Sequence, residues 1–333
     1  MSEKPTLAEV AREAGTSQST ASRALSGRGY VSDEVRDRTF AAAEKLGYIP
    51  SAPARALKQR TSRVIGVVVS DLGNPFYGKL AAGIEQTLRE ANYQMMLLGD
   101  NNEDAEELAG ARTFVAMRAP GVIMTPVGSD ATELLASYGT AVVEVDRQLA
   151  TIPCDAVVID NEYGARLATQ HLIDLGHHRI GFLGIDTDWT SDAGRLRGYK
   201  AAVTGRRRTY HPRLVVRVPL HAADVDIRIS RLLDLRPTAI FAANNLLAER
   251  AWRVLRQRKL RLPDDISLVG FDDVPWMDMV EPGITVVAQP TLEMGRRAAA
   301  LLIERLQDGT RPPAVEVLRP RLVVRGSTGP PQV

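Results

Sequence analysis

Residues 6–27 read TLAEVAREAGTSQSTASRALSG. Thr6-Leu7-Ala8-Glu9 has the spacing of a capping box, a hydroxyl residue followed three positions later by a glutamate. Leu7, Val10, Ala11 and Ala14 then fall at i, i+3, i+4 and i+7, one face of a helix that Gly15 stops. Ser17 caps a second helix, in which Ala21, Ala24 and Leu25 turn inward while Gln18, Ser19, Ser22 and Arg23 stay outside. Gly27 closes it. Ser32-Asp33-Glu34 opens a third helix, acidic in its first turn as the helix dipole favours, which runs to Leu46 and ends at Gly47. Two short helices joined by a tight glycine turn, with alanines where they cross, make a helix-turn-helix pattern whose second helix fits a major groove. Gln18 carries an amide suited to adenine, Arg23 a fork suited to guanine, and Thr6, Ser17, Ser19 and Ser22 carry hydroxyls for bases or phosphates. The helix pattern alone fits a plain three-helix bundle with a polar outer face equally well.

Charge is divided along the chain. The whole carries 42 Lys+Arg against 40 Asp+Glu, yet residues 1–60 hold 10 basic and 7 acidic residues, so the positive excess lies in front, where phosphates would be held. At 333 residues the chain exceeds one comfortable domain, and 44% hydrophobic content supports a large core. No apolar run is long enough to span a bilayer, and MSEKPTLAEV lacks the basic-then-apolar order of a signal peptide, so a cytoplasmic location is expected. The single cysteine, Cys154, has no partner for an internal disulfide and reads as a small apolar residue.

From Val64 onward short apolar runs alternate with amphipathic segments. VIGVVV, YQMMLL, GVIMT, AVVEV, AVVI, RIGFLG, LVVRV, AIFAA and ISLVGF read as buried parallel strands, and GIEQTLREA and GARLATQHLIDLG as crossover helices, which predicts a doubly wound α/β domain. Ligands bind such sheets beyond the carboxyl ends of the strands. There the sequence offers Asn74 as a cap with Pro75 behind it, Phe76 and Tyr77 at a rim, then Asp146 and Arg147. A loop with Trp189, Ser191 and Arg195, then Asn244 and Asn245, then Asp272 and Asp273 complete the set. Carboxylates, amides, an arginine and aromatic faces in one cleft suit a polyhydroxylated or heteroaromatic metabolite, and Trp189 favours a sugar. Each also has a local reading: Asp146–Arg147 as an ion pair, Asn245 as a helix cap, Trp189 as a loop anchor.

The run TLAEVAREAGTSQSTASRALSG, VS, AAAEKLGYIP resembles the headpiece of the LacI/GalR family of repressors and continues into SAPARALK, the position of that family's hinge. NPFY, VEVDR, VIDNEYGA, HLIDLGHHRI, GRLRGY, VGFDDV, TLEMGRRAA and LVVRGST extend the resemblance over most of the chain. It implies a helix-turn-helix headpiece over 1–49 and a hinge helix or linker over 50–60. It further implies a periplasmic-binding-protein-like core of two subdomains, 61–160 with 290–318 and 161–289 with 319–333. By that resemblance Arg195 and Asp272 bind effector, Phe76, Phe241 and Asn244 occupy pocket positions, and the protein is a homodimer on a near-palindromic double-stranded operator. Leu57 of each subunit would wedge into the minor groove, with Arg55 beside it on the DNA. Ser51, where the family usually has Asn, caps a hinge helix reaching about Lys58, a segment too short to persist alone in water and hence open to control by ligand.

Four departures stand out. The family's A-N-D reads Ala243-Asn244-Asn245, its V-D-G reads Ala119-Pro120-Gly121, residues 205–213 are more basic than usual, and the glycine expected around Asp224 to Arg228 is absent. No G-x-x-x-x-G-K-[ST], H-E-x-x-H or G-x-S-x-G occurs, so no enzyme chemistry, cofactor or metal is expected. The adjacent His177 and His178 are expected to point apart. The competing readings are an exported sugar-binding module, which would have no headpiece, and a sugar-modifying enzyme, which would need catalytic groups in the cleft.

Overall fold

The computed structural model describes residues 5–26, 29–48, 62–205 and 210–332. The chain forms two compact units, Met1–Ser62 and Arg63–Val333.

In the first unit, α1 spans Leu7–Glu13, α2 Gln18–Ser26 and α3 Asp33–Leu46. The expected capping box forms: the Thr6 amide donates to Glu9 Oε2 at 2.6 Å, and the Glu9 amide donates to Thr6 Oγ1 at 3.4 Å. Gly15 makes the turn at φ +62° and Gly47 ends α3 at φ +63°, both in the left-handed region that glycine adopts at little cost. Val10, Ala14, Ala42 and Ala43 form a small core, with Leu25, Leu46 and Tyr48 packed on it. Ala21 and Ala24 are buried, as small side chains must be where helices cross closely.

The second unit holds two six-stranded sheets. The first contains β1 (Val64–Val69), β2 (Gln94–Gly99), β3 (Gly121–Met124), β4 (Ala141–Val145), β5 (Asp155–Ile159) and β11 (Val315–Leu318), in the order β11-β5-β4-β3-β1-β2. The second contains β6 (Ile180–Ile185), β7 (Val215–Val218), β8 (Ala239–Ala242), β9 (Ser267–Phe271), β10 (Thr285–Ala288) and β12 (Arg321–Val323), in the order β12-β10-β9-β8-β6-β7. All pairings are parallel except that of β12 with β10. The chain therefore passes between the sheets three times, after β5, after β10 and after β11. The strand order repeats, so each position in one sheet has a counterpart in the other.

Three strands were not legible as apolar runs: β10 and β12 are short, and β11 alternates exposed Val315 and Val317 with half-buried Glu316 and Leu318. The expectation that all the apolar runs are fully buried fails for β2 and β7. These are edge strands, so each is covered incompletely and stays largely half-buried.

Helices α4 (Pro75–Glu90) and α12 (Thr291–Gln307) cover the first sheet, and α7 (Asn161–Asp174) and α8 (Thr190–Thr204) pack together on the second. Both pairs approach through glycine. A Cβ on Gly83 would lie 2.1 Å from the Leu292 carbonyl oxygen, one on Gly295 2.2 Å from that of Leu80, and one on Gly198 2.2 Å from that of Glu162. His177 is buried between Thr238 Oγ1 at 2.9 Å and Ser267 Oγ at 3.1 Å, whereas His178 is exposed. The two rings do diverge.

Candidate functional site

Helix α2 presents Gln18, Ser19 and Arg23 to solvent, with Ser22 half-buried. Ser17 Oγ accepts from the Thr20 amide at 3.1 Å, which fixes the start of this helix. The Thr6 hydroxyl donates to Glu9 Oε2 at 2.9 Å, so its first duty is to the α1 cap. Arg55, Leu57 and the hinge expected around Ser51 to Lys58 lie outside the described residues.

In the larger unit, the carboxyl ends of the two sheets face one another across a cleft. Asp146 follows β4 and Asp272 follows β9, which hold the same place in the two strand orders. Both adopt the left-handed region, at φ +70° and +71°, conformations that side chains other than glycine take only when their surroundings compel it. The compulsion is visible: each amide donates to the neighbouring strand, Asp146 to the Val157 carbonyl at 3.0 Å and Asp272 to that of Val287 at 2.9 Å. The turn ends the strand and aims a carboxylate into the cleft.

Two arginines answer them. Arg147 Nε lies 3.7 Å from Asp146 Oδ2. Its Nη1 donates to the Pro126 carbonyl at 3.2 Å, and its Nη2 to Tyr77 Oη at 3.2 Å and Asn102 Oδ1 at 3.1 Å. Arg195 lies on the inner face of α8 and donates through Nε to Asn161 Oδ1 at 2.8 Å and through Nη1 to the Ala243 carbonyl at 2.7 Å. Its guanidinium stacks 3.9 Å from the centre of the Phe271 ring. Burial pushes the carboxyls of both Asp146 and Asp272 above the usual range, against the pull of Arg147 on the first and Arg195 on the second. Burial also drives the Tyr77 phenol up to about 12, so it remains a neutral hydroxyl.

The cleft is closed. Asn245 Nδ2 donates to Asn74 Oδ1 at 2.6 Å, and Asn74 Nδ2 returns a bond of 3.3 Å to Asn245 Oδ1. Trp189 Nε1 donates to the Val127 carbonyl at 3.0 Å while its ring covers the Arg147 guanidinium at 3.5 Å. Each of these joins one sheet's layer to the other's. About 110 Å³ remains inside, less than the roughly 300 Å³ at which small-molecule pockets usually begin.

Of the residues expected at the pocket, Phe76, Asp146, Arg147, Trp189, Ser191, Arg195, Asn244 and Asp272 line it. Phe241 does not. It points into the sheet interior from β8, fully buried, with its ring 5.6 Å from Phe182 and 6.4 Å from Phe271. It lies within β8, which is buried at every position, and not beyond the strand end. Ser191 and Arg195 belong to the first turns of α8 and not to a loop, and the cap of α10 (Asn245–Gln257) is Asn244, whose Oδ1 accepts from the Leu247 amide at 2.8 Å. Asn245 is thereby released to bridge to Asn74.

Asn102, Asp192 and Gln289 also line the cleft and were not anticipated. Gln289 directly follows β10, so the rule of reading the residue after each strand finds it once that strand is recognised, whereas Asn102 lies three positions beyond β2 and outside the reach of that rule. Among the described residues no group of His, Cys, Asp and Glu could hold a metal ion, and no helix is long and apolar enough to cross a membrane.

Residues 6–51 match the model for bacterial regulatory proteins of the lacI family, and residues 169–328 match that for a periplasmic binding protein-like domain. The HTH-type transcriptional regulator DegA of Bacillus subtilis is 32% identical over 333 residues, 98% of this chain and 99% of its own. A structure of the transcriptional regulator CelR–cellobiose complex superposes with a TM-score of 0.74 at 31% identity, covering 97% of this chain and 99% of that one. The lac repressor dimer bound to operator and the anti-inducer ONPF superposes with a TM-score of 0.84 at 25% identity, covering 98% and 100%. With a helix-turn-helix unit ahead of a two-sheet core closed around a polar cleft, and with such relatives along its whole length, this chain belongs to the LacI family of transcriptional regulators.

Proposed function

We propose that the protein is a repressor that binds a near-palindromic operator as a homodimer in the cytoplasm, and that a sugar held in the cleft changes its hold on DNA. The observation that carries this reading is the convergence of Asp146, Arg147, Arg195 and Asp272 on one closed, aromatic-walled cavity. Polar groups of both signs beside aromatic faces are what a polyhydroxylated ligand needs, since each hydroxyl both donates and accepts and each sugar face is apolar. Its relatives agree: one solved neighbour holds cellobiose, and another holds operator DNA as a dimer.

The mechanism follows from linkage. A ligand that binds one angle between the lobes better than another shifts the population by its difference in affinity, and no more. The three chain crossings let the lobes rotate without unfolding. A changed angle in each subunit alters the separation of the two hinge segments, Ser51 to Lys58, whose folding on DNA is marginal enough to be tipped. On the operator, Gln18 and Arg23 read bases, Thr6, Ser17, Ser19 and Ser22 contact bases or backbone, Arg55 contacts the DNA, and Leu57 wedges into the minor groove.

The test begins with selection of a preferred site from a randomised duplex library by the full-length chain. Its affinity is then measured with and without a panel of sugars, alongside thermal shift, because a ligand of the folded state alone raises the melting temperature. A selected palindrome whose affinity changes with one sugar supports the reading. An enriched site whose affinity no ligand of the folded protein alters would refute the gating.

A further inference from the structure

Resting on the effector reading of the cleft, we infer that the effector bears no anionic group: the pocket selects an uncharged polyol or a protonated amino sugar and rejects phosphorylated and carboxylated sugars. The first ground is charge. Asp71, Asp146, Asp192 and Asp272 line the cavity against two cations, Arg147 and Arg195. A further carboxyl, Asp100, is fully buried behind Arg147 and draws on the same guanidinium. Sites that capture phosphate or carboxylate present an arginine fork with its donors open. Here Arg147 serves three protein acceptors through both Nη atoms and Arg195 two through Nε and Nη1, so neither presents a wholly free fork.

The second ground is the hydrogen-bonding left unmet. Gln289 is buried and donates through Nε2 to Asp272 Oδ1 at 2.6 Å, while its Oε1 has no partner. Arg147 Nε is likewise buried without one. Among the described hydrogen bonds none reaches the Asp146 carboxylate. An unmet buried polar atom is costly and points to a group that is missing. Gln289 Oε1 and Asp146 call for donors, and Arg147 Nε for an acceptor. Hydroxyls supply both, whereas a phosphate dianion offers acceptors only and would face the carboxylates.

The experiment soaks full-length protein in a small-molecule cell extract, removes unbound material and identifies what is retained by native mass spectrometry. The retained compound and its phosphorylated or carboxylated counterpart are then titrated by calorimetry against wild type and Asp146→Asn. Asparagine tolerates the positive φ at this position, so the variant keeps the turn. We expect a neutral or cationic ligand, an anionic counterpart at least tenfold weaker, and a preference that narrows at least tenfold in Asp146→Asn. A retained anion, or an anionic counterpart that binds as well as the neutral one, overturns the inference. An unchanged preference in the variant overturns the role of Asp146. Retention of no ligand would overturn the effector reading itself, and this inference with it.

Discussion

Glu107 offers a perturbation whose size follows from its surroundings. It lies on α5 (Asp104–Ala116), almost wholly buried, and accepts from the Val127 amide at 2.8 Å and the Gly128 amide at 3.2 Å. That loop also supplies the Pro126 and Val127 carbonyls, which hold Arg147 and Trp189, so Glu107 supports the cleft wall from behind. Burial raises its carboxyl from the usual 4.5 to about 7, against the pull of the two amides. At about 1.4 kcal/mol per pH unit, this places about 3 kcal/mol on the ionised folded state. The folded state thus holds its proton more tightly than the unfolded one. The contribution of Glu107 to stability is fully present below the unfolded value of 4.5 and is lost as pH rises through the folded value near 7. Glu107→Gln removes the charge. One of its donors then faces an amide, a cost that does not vary with pH. The readable quantity is therefore the change in the stability gap between variant and wild type: it should move in favour of glutamine by about 2.5 kcal/mol between pH 5 and pH 8. Denaturant unfolding of both proteins at several pH values measures it, and the comparison cancels every titrating group that does not couple to Glu107 as Asp100 and Asp104 do. A gap constant within about 0.5 kcal/mol across that range would refute the reasoning.

Gly83→Ala should destabilise the core by roughly 1–3 kcal/mol, seen as a lower melting temperature, because its Cβ would meet the Leu292 carbonyl at 2.1 Å and force α4 from α12. Thr6→Ala removes the α1 cap and should cost the headpiece about 0.5–2 kcal/mol, visible as earlier loss of α1 amide protection in hydrogen exchange. Arg23→Ala should relax preference at one symmetric pair of operator positions, by ~1–3 kcal/mol for a bidentate contact, and unchanged library selection would exclude such a contact. Trp189→Phe keeps a ring over Arg147 but loses the bond to Val127, so closure should weaken by about 1 kcal/mol, detected as a larger radius in solution scattering without ligand.

The headpiece was legible because its determinants are local. A capping box, glycines at the turns and alanines at the crossing act within a few residues, and α1, α2 and α3 begin and end close to where those signals stand. The α/β alternation was legible for the same reason, since a buried parallel strand must be a nearly unbroken apolar run. Phe241 shows where such reading fails. Its neighbours Ala239 to Ala242 are equally apolar, and only packing decides that its ring joins Phe182 and Phe271 in the interior.

Local pattern in the chain was enough for the helix-turn-helix and for β1 to β9, and so for most of the strand ends from which a cleft could be built. Which strand ends oppose one another follows only from the packing of the two sheets. Asp146 and Asp272 lie far apart in the chain and come together because they hold the same place in two repeated strand orders. The same folding sets Asn74 against Asn245, 171 positions apart, and lays Trp189 over Arg147. Pairing of that kind depends on how two sheets pack and cross. No local propensity encodes it, so the closure of the cleft and its surplus of buried acceptors became readable only from the folded chain.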